Sequence, residues 1–204
     1  MFELTEDQLA LKEAAAEAAT AILGETLKED DEHEVFRPEY LHALGEAGLC
    51  GVQSAEEHGG LGLGYTEYAI ILEEIAKVSA SYAVGVAVTG LPQVILATMG
   101  SQEQIDRYLP QLAMGETIGA FALSEPDSGS DAASLQATAE LDGDEYVLNG
   151  TKFWITHGGY ADVYIVMART GGPGARGVSA FVVPGDAAGL SYGKKEEKMG
   201  LRSS

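Results

Sequence analysis

Two short runs of this chain concentrate hydroxyl side chains, glycines and its only tryptophan. The first is Ala122-Leu123-Ser124-Glu125-Pro126-Asp127-Ser128-Gly129-Ser130-Asp131. The second is Gly150-Thr151-Lys152-Phe153-Trp154-Ile155-Thr156-His157-Gly158-Gly159. Small hydroxyls donate and accept hydrogen bonds, glycines let backbone N–H groups approach a ligand, and an indole offers a flat apolar face. Set around two strand ends, these residue types suit a flat, polar-edged ring. Each run taken alone has a plainer reading. The first is also a strand followed by a Pro-Asp-Ser-Gly turn, and a lone tryptophan is more often core than platform.

Other chemistries find less support. Ser124, Ser128 and Ser130 lack the G-x-S-x-G elbow of a nucleophile, and no histidine is tied to them by a nucleophile–base motif. His33, His42, His58 and His157 show no ligand spacing, so no metal is expected. Gly59-Gly60-Leu61-Gly62-Leu63-Gly64 has no strand before it and the wrong spacing for a dinucleotide loop, and reads as a turn between helices. Gly171-Gly172-Pro173-Gly174 lacks the Lys-Ser/Thr of a phosphate loop and reads as a strand connection.

The elements that must position the two runs follow from periodicity. Thr5-Glu6-Asp7-Gln8 is a capping box, with Leu4 and Leu9 placed as a hydrophobic staple, and Leu9–Ala21 is rich in helix formers. Pro38 starts a second helix that Gly48 stops. Lys28 to Glu34 reads as a solvated acidic loop. Tyr65–Lys77 carries Tyr68, Ile71, Leu72 and Ile75 on one face. An apolar segment from Ala83 to Met99 is loosened by Gly85, Gly90 and Pro92. Ser101-Gln102-Glu103-Gln104 caps a short helix expected before Pro110. Near Ile118 the period drops to two: Leu135, Ala137, Ala139 and Leu141 alternate with polar residues. Asp142-Gly143-Asp144 is a tight turn, and Asn149-Gly150 predicts a hairpin leading into a strand at Phe153-Trp154-Ile155. Val163–Ala168 and Val178–Val183 are further strands.

Composition sets outer bounds. The 204 residues are 46% hydrophobic, enough for one large or two small domains. Net charge is −20, and residues 1–60 hold 15 acids against Lys12, Lys28 and Arg37, which disfavours nucleic-acid binding. The single Cys50 excludes an internal disulfide and fits a reducing compartment. The acidic start Met1-Phe2-Glu3-Leu4 resembles neither a secretory signal nor a transit peptide, and the expected location is cytoplasmic. No uninterrupted apolar run approaches a membrane span.

The two runs resemble the paired motifs of the acyl-CoA dehydrogenase flavoproteins: a strand ending in Ser/Thr-Glu-Pro, a small-residue turn and Gly-Ser-Asp, then Trp-Ile-Thr/Ser before Gly-Gly. They stand in the family's order and at matching separation. Lys198-Met199-Gly200-Leu201-Arg202 is a further family-like stretch, and the likeness runs from about residue 5 to the last. It implies an α+β fold, with an all-α N-terminal domain (1–117) followed by a β-barrel-like middle domain (118–204). It also implies FAD as cofactor. Phe121, Leu123 and Ser124 would line the flavin's pyrimidine edge, Leu123 through its backbone and Ser124 through its hydroxyl. Gly129 and Ser130 would sit at the pyrophosphate side, with Ser130 also near the substrate's pantetheine. Trp154 would pack along the isoalloxazine, Ile155 belongs to the same cofactor-binding run, and Thr156 would place its hydroxyl near N5. Phe121 replaces the tyrosine of some relatives, and His157 stands where many carry Asn.

The resemblance implies α,β-dehydrogenation of an acyl-CoA thioester within fatty-acid β-oxidation, with electrons passed on to an electron-transfer flavoprotein. The family's base is a glutamate on a C-terminal helical domain. This chain is expected to stop at Ser204 before that domain, so no catalytic residue is expected in it and the 204 residues alone are expected to be inactive. Glu125 is assigned to the turn, with no proton-transfer role. A coenzyme A site needs local cations, and few lie near the motifs. The full-length protein is expected to form homotetramers or homodimers. Two alternatives are an acyl-CoA oxidase or flavin monooxygenase on the same scaffold, and a non-catalytic short subunit that needs a partner.

Overall fold

Thr5 opens the first helix as its sequence predicts. Its hydroxyl accepts from the Gln8 N–H at 3.2 Å, while the Gln8 side chain accepts from the Thr5 N–H at 3.0 Å. Leu9 of the expected staple stays 48% exposed. The computed structural model describes residues 3–24 and 26–204; Met1 and Phe2 of the acidic start, and Glu25, lie outside the described residues. Among the described residues six α-helices follow one another: α1 Glu6–Ile22, α2 Leu27–His33, α3 Pro38–Glu46, α4 Tyr65–Val78, α5 Ala80–Met99 and α6 Gln102–Ala113. Pro38 occupies the start of α3, and Gly48, at φ +79°, turns the chain after it.

Three sequence readings change here. The acidic Lys28–Glu34 run is not a loop but lies largely in α2. Its Asp30 is buried and accepts from the Arg37 guanidinium through two 2.7 Å bonds and from the Thr26 hydroxyl at 2.6 Å. A buried carboxylate with three charge-assisted or hydroxyl donors has no need of solvent. Helix α5 runs unbroken through Pro92, because packing against α4 and α6 outweighs local propensity. Helix α6 likewise continues past Pro110 to Ala113.

Helix α5 is long and apolar enough to cross a membrane by length and composition, yet half of it is buried within the fold. It also carries a buried polar hub. The Gln93 side chain accepts from the Ser54 hydroxyl at 2.8 Å and donates to the Cys50 and Leu112 carbonyls at 3.1 Å each. The core of the helical unit also holds Leu41, Leu44, Ile71, Ile75, Tyr82, Val86 and Leu112, all fully buried. Burying each large side chain stabilises the fold by about 1.5–3 kcal/mol. Cys50 lies in this core, where burial pushes its thiol up to about 12.

The chain divides into two compact units, Met1–Gly119 with Lys195–Ser204, and Ala120–Lys194. The family-like tail thus groups with the helices, although it follows the sheet in sequence. Its Arg202 N–H donates to the Asp31 carboxylate at 3.0 Å, and its guanidinium pairs with Glu34 at 3.0 Å.

The α+β class read from the sequence holds. The strands are β1 Gly119–Ala122, β2 Thr138–Asp142, β3 Glu145–Asn149, β4 Val163–Arg169 and β5 Val178–Pro184, forming one mixed sheet in the order β1-β4-β2-β3, with β5 also on β4. Both β2–β3 and β4–β5 are antiparallel, and β2 runs parallel to β4. Leu135, Ala137 and Ala139 are buried as alternation predicts, while Leu141 near the hairpin tip is exposed. The hairpin itself sits at Asp142-Gly143-Asp144, not at Asn149-Gly150. Gly143 takes φ +68° and lets Asp142 pair with Glu145. At Gly150 the chain passes so close to β2 that an added Cβ would lie 2.5 Å from the Ala137 Cβ. The expected strand at 153–155 is therefore an irregular arm.

Candidate functional site

The two runs meet. After β1 the chain folds into a tight turn in which the Glu125 N–H donates to the Ser128 carbonyl at 2.7 Å and the Ser128 N–H returns to Glu125 at 3.2 Å. The Ser128 hydroxyl closes the turn by donating to the Asp131 carbonyl at 2.9 Å. The arm after Gly150 returns to this strand end: the Phe153 N–H donates to the Ser124 carbonyl at 2.8 Å. Beside that bond the Lys152 ammonium donates to the Leu123 carbonyl at 3.0 Å and the Glu125 carboxylate at 2.7 Å.

Glu125 is only 5% exposed, and its carboxylate also accepts from the backbone N–H groups of Gln136 at 2.5 Å and Ala137 at 2.9 Å. Burial alone would push its carboxyl up. Lys152 and the two amides outweigh burial and hold it below the usual carboxylate range. An ionised carboxylate whose oxygens are already engaged holds backbone in place and does not shuttle protons. The sequence assigned Glu125 only to a turn; the signal that could have exposed its larger role is the opposite charge of Lys152 inside the otherwise uncharged second run.

The arm carries two non-glycine residues in the left-handed region, Trp154 at φ +57° and His157 at φ +65°. Such a conformation costs about 1–2 kcal/mol for an L-residue, and Asn and His tolerate it better than most. That preference suits His157 to its place in the turn. The turn is braced from β4: the buried Tyr164 hydroxyl accepts from the Gly159 N–H at 3.0 Å and donates to the His157 carbonyl at 3.4 Å. Burial pushes this hydroxyl's ionisation far above its ordinary value. Trp154 is 71% exposed, edge-on to Phe153 at 6.2 Å between ring centroids. The indole is therefore not buried in the core of the sheet unit.

Of the other residues singled out in the two runs, Phe121, Leu123, Ser124, Ile155 and Thr156 are half-buried, and Gly129 and Ser130 are exposed. Nothing lies within 4 Å of where a Cβ on Gly129 would project, so steric crowding does not demand glycine there. No group of three His, Cys, Asp or Glu able to hold a metal occurs among the described residues. What the sheet unit presents is a strand end and a strained arm, bonded together, bearing hydroxyls and an uncovered indole. Chemically, such a set can hydrogen-bond the edge of a planar ring and cover one of its faces.

Comparison with known proteins identifies the class. The N-terminal domain of acyl-CoA dehydrogenase matches residues 5–116, and the acyl-CoA dehydrogenase middle domain matches residues 120–204. The chain belongs to the acyl-CoA dehydrogenase family. It is 39% identical to mitochondrial isovaleryl-CoA dehydrogenase of Pongo abelii, covering 98% of this chain and 49% of that protein. It is 38% identical to the short-chain-specific acyl-CoA dehydrogenase of Clostridium acetobutylicum, covering 100% and 54%. The chain thus spans about half the length of the curated relatives it matches. Among solved structures, butyryl-CoA dehydrogenase of Megasphaera elsdenii superposes with a TM-score of 0.93 at 34% identity, covering 100% of this chain and 55% of that one. A chain from work on the electron transferring flavoprotein of Acidaminococcus fermentans gives 0.94 at 39% identity, with 100% and 54% coverage. Glutaryl-CoA dehydrogenase of Mycobacterium smegmatis in complex with FADH2 gives 0.90 at 30%, with 98% and 50%.

Proposed function

We propose that this chain forms the FAD-binding and acyl-CoA-binding part of an acyl-CoA dehydrogenase that oxidises the α,β C–C bond of an acyl-CoA thioester. The observation that carries the reading is the meeting of the two runs. The Phe153–Ser124 hydrogen bond puts the uncovered indole of Trp154 and the hydroxyl-bearing Thr156 on an arm tied to the Ser124 strand end. The donor set fits an isoalloxazine: Ser124 and the Leu123 backbone for its pyrimidine edge, Thr156 for the N5 side, and Trp154 along its length. Phe121 and Ile155 supply apolar walls, and exposed Gly129 and Ser130 leave room for a pyrophosphate and a pantetheine arm.

When bound, FAD supplies the hydride acceptor and passes electrons on to an electron-transfer flavoprotein. This chain's own residues bind and orient the cofactor. The Lys152 ammonium is committed to Leu123 and Glu125, so the phosphates of coenzyme A need cations from elsewhere. Glu125 is not the base, because its oxygens are engaged; the family resemblance puts the base on a helical domain beyond the two matched motifs. The relative solved with FADH2, and the neighbour from work on an electron transferring flavoprotein, both support this assignment.

The test is to purify the complete gene product, measure bound flavin, and follow flavin bleaching under argon as acyl-CoA thioesters are added. Bleaching that persists until an electron-transfer flavoprotein is supplied supports a dehydrogenase. Rapid reoxidation by oxygen alone would move the assignment to an oxidase, and absence of flavin would overturn it.

A further inference from the structure

Glu125 and Lys152 form an ion pair inside the sheet unit at 2.7 Å, with side chains 6% and 11% exposed. Glu125 Oε1 accepts from Lys152 and from the Ala137 N–H, and Oε2 accepts from the Gln136 N–H. Lys152 also reaches the Leu123 carbonyl. The pair thus joins three pieces of chain: the turn after β1, the entry to β2, and the arm that carries Trp154 and Thr156.

Stability alone is a weak reason for such a pair. Desolvating two charges largely offsets their attraction, and apolar replacements of similar volume are often as stable. Geometry is the stronger reason. Glu125 follows Ser124 directly, Lys152 lies two residues before Trp154 and four before Thr156, and the Phe153–Ser124 hydrogen bond falls between them. Any slip of the pair displaces the indole and the Thr156 hydroxyl relative to Ser124, and a misplacement near 1 Å costs binding geometry heavily.

We propose that Glu125 and Lys152 are positioning residues for the flavin site, fixing the register of the Trp154–Thr156 arm against the Ser124 strand end. The inference rests on the reading that this site holds FAD, and it goes beyond that reading by naming two residues whose charged atoms are engaged within the protein.

The experiment uses the FAD-loaded complete gene product and three variants: Lys152→Met, Glu125→Gln and the double substitution. Lys77→Met is the control. It removes a 2.7 Å ion pair with the equally sequestered Glu74 in the helical unit. FAD dissociation constants, flavin circular dichroism and the midpoint potential of the bound flavin are measured well below each variant's unfolding midpoint. Each single site variant should bind FAD about tenfold more weakly, about 1.4 kcal/mol. Both should shift the flavin dichroism, and the double variant should be no worse than the poorer single one. Lys77→Met should lose stability and leave all three flavin readouts unchanged. If Lys152→Met does not fold, the milder Glu125→Gln, which retains an acceptor oxygen, decides. FAD affinity and dichroism within about twofold of wild type, or failure of both variants to fold, would overturn the inference. A wild-type protein that takes up no FAD would instead overturn the functional reading on which it rests.

Discussion

At the scale of single residues, Trp154 shows what sequence can and cannot disclose. Its type and its neighbours Ile155 and Thr156 are legible. Its left-handed backbone and its exposure are not, because both arise from the meeting of two runs some thirty residues apart. Trp154→Ala should weaken FAD by about 0.5–1.5 kcal/mol, the worth of an aromatic stack beyond area burial, or about two- to tenfold. It should leave thermal stability nearly unchanged, since the indole is exposed and Ala keeps the Cβ that the φ +57° backbone strains. Flavin titration and melting curves on the same samples separate the two effects. A loss of stability with unchanged FAD affinity would make Trp154 a structural residue of the arm and not a flavin contact. Ser124 makes a companion case: Ser124→Thr should keep FAD, while Ser124→Ala should lose about one hydrogen bond, about 0.5–1.5 kcal/mol. A covalent acyl adduct on Ser124, detected by mass spectrometry, would contradict its role as a hydrogen-bonding group.

At the scale of elements, local patterns were reliable where a cap or a period fixes them and failed where distant contacts decide. The boxes at Thr5 and Ser101 and the strands of β4 and β5 are plain in the sequence. The Asn149-Gly150 signal misleads because Ala137, a dozen residues earlier, occupies the space a hairpin partner would need. Gly150→Ala should therefore cost about 1–3 kcal/mol by overpacking against Ala137, read as a lower urea midpoint with unchanged slope. An unaffected midpoint would mean that the arm can move away at no cost. The acidic run at α2 misleads in the other direction, since Arg37 neutralises Asp30 from outside the run. The Arg37 hydrogen bonds hold the Asp30 carboxyl below its ordinary value despite burial. A depressed folded value means that Asp30 stabilises the protein above its unfolded pKa of about 3.9 and loses that contribution as pH falls through the folded value. The stability gap between wild type and Asp30→Asn should be full at pH 7 and shrink below about pH 4. A gap independent of pH would show that packing, not charge, makes Asp30 matter.

At the scale of the whole molecule, the change of period near Ile118 discloses a helical unit and a sheet unit, and the two runs disclose the class. The return of Lys195–Ser204 to the helical unit was hidden, because the pairing of Arg202 with Asp31 and Glu34 spans most of the chain and leaves no local pattern. Within the sheet unit Glu125, the buried carboxylate of the first run, is locked by Lys152 and two amides, and the family resemblance puts the base on a further helical domain. The 204 residues produced alone should therefore show no dye-linked turnover of any acyl-CoA, because an α-proton needs a base within hydrogen-bond reach. Turnover on the order of 1–10³ per second would place the base inside this sequence. The central claim is that the strand end at Ser124 and the arm at Trp154 together hold a flavin that an acyl-CoA reduces. The measurement that tests it most directly is the visible spectrum of the purified complete gene product during anaerobic titration with acyl-CoA thioesters. The account predicts one FAD per chain and stepwise bleaching by at least one thioester. A protein that carries no flavin, or whose flavin no acyl-CoA reduces, would contradict it.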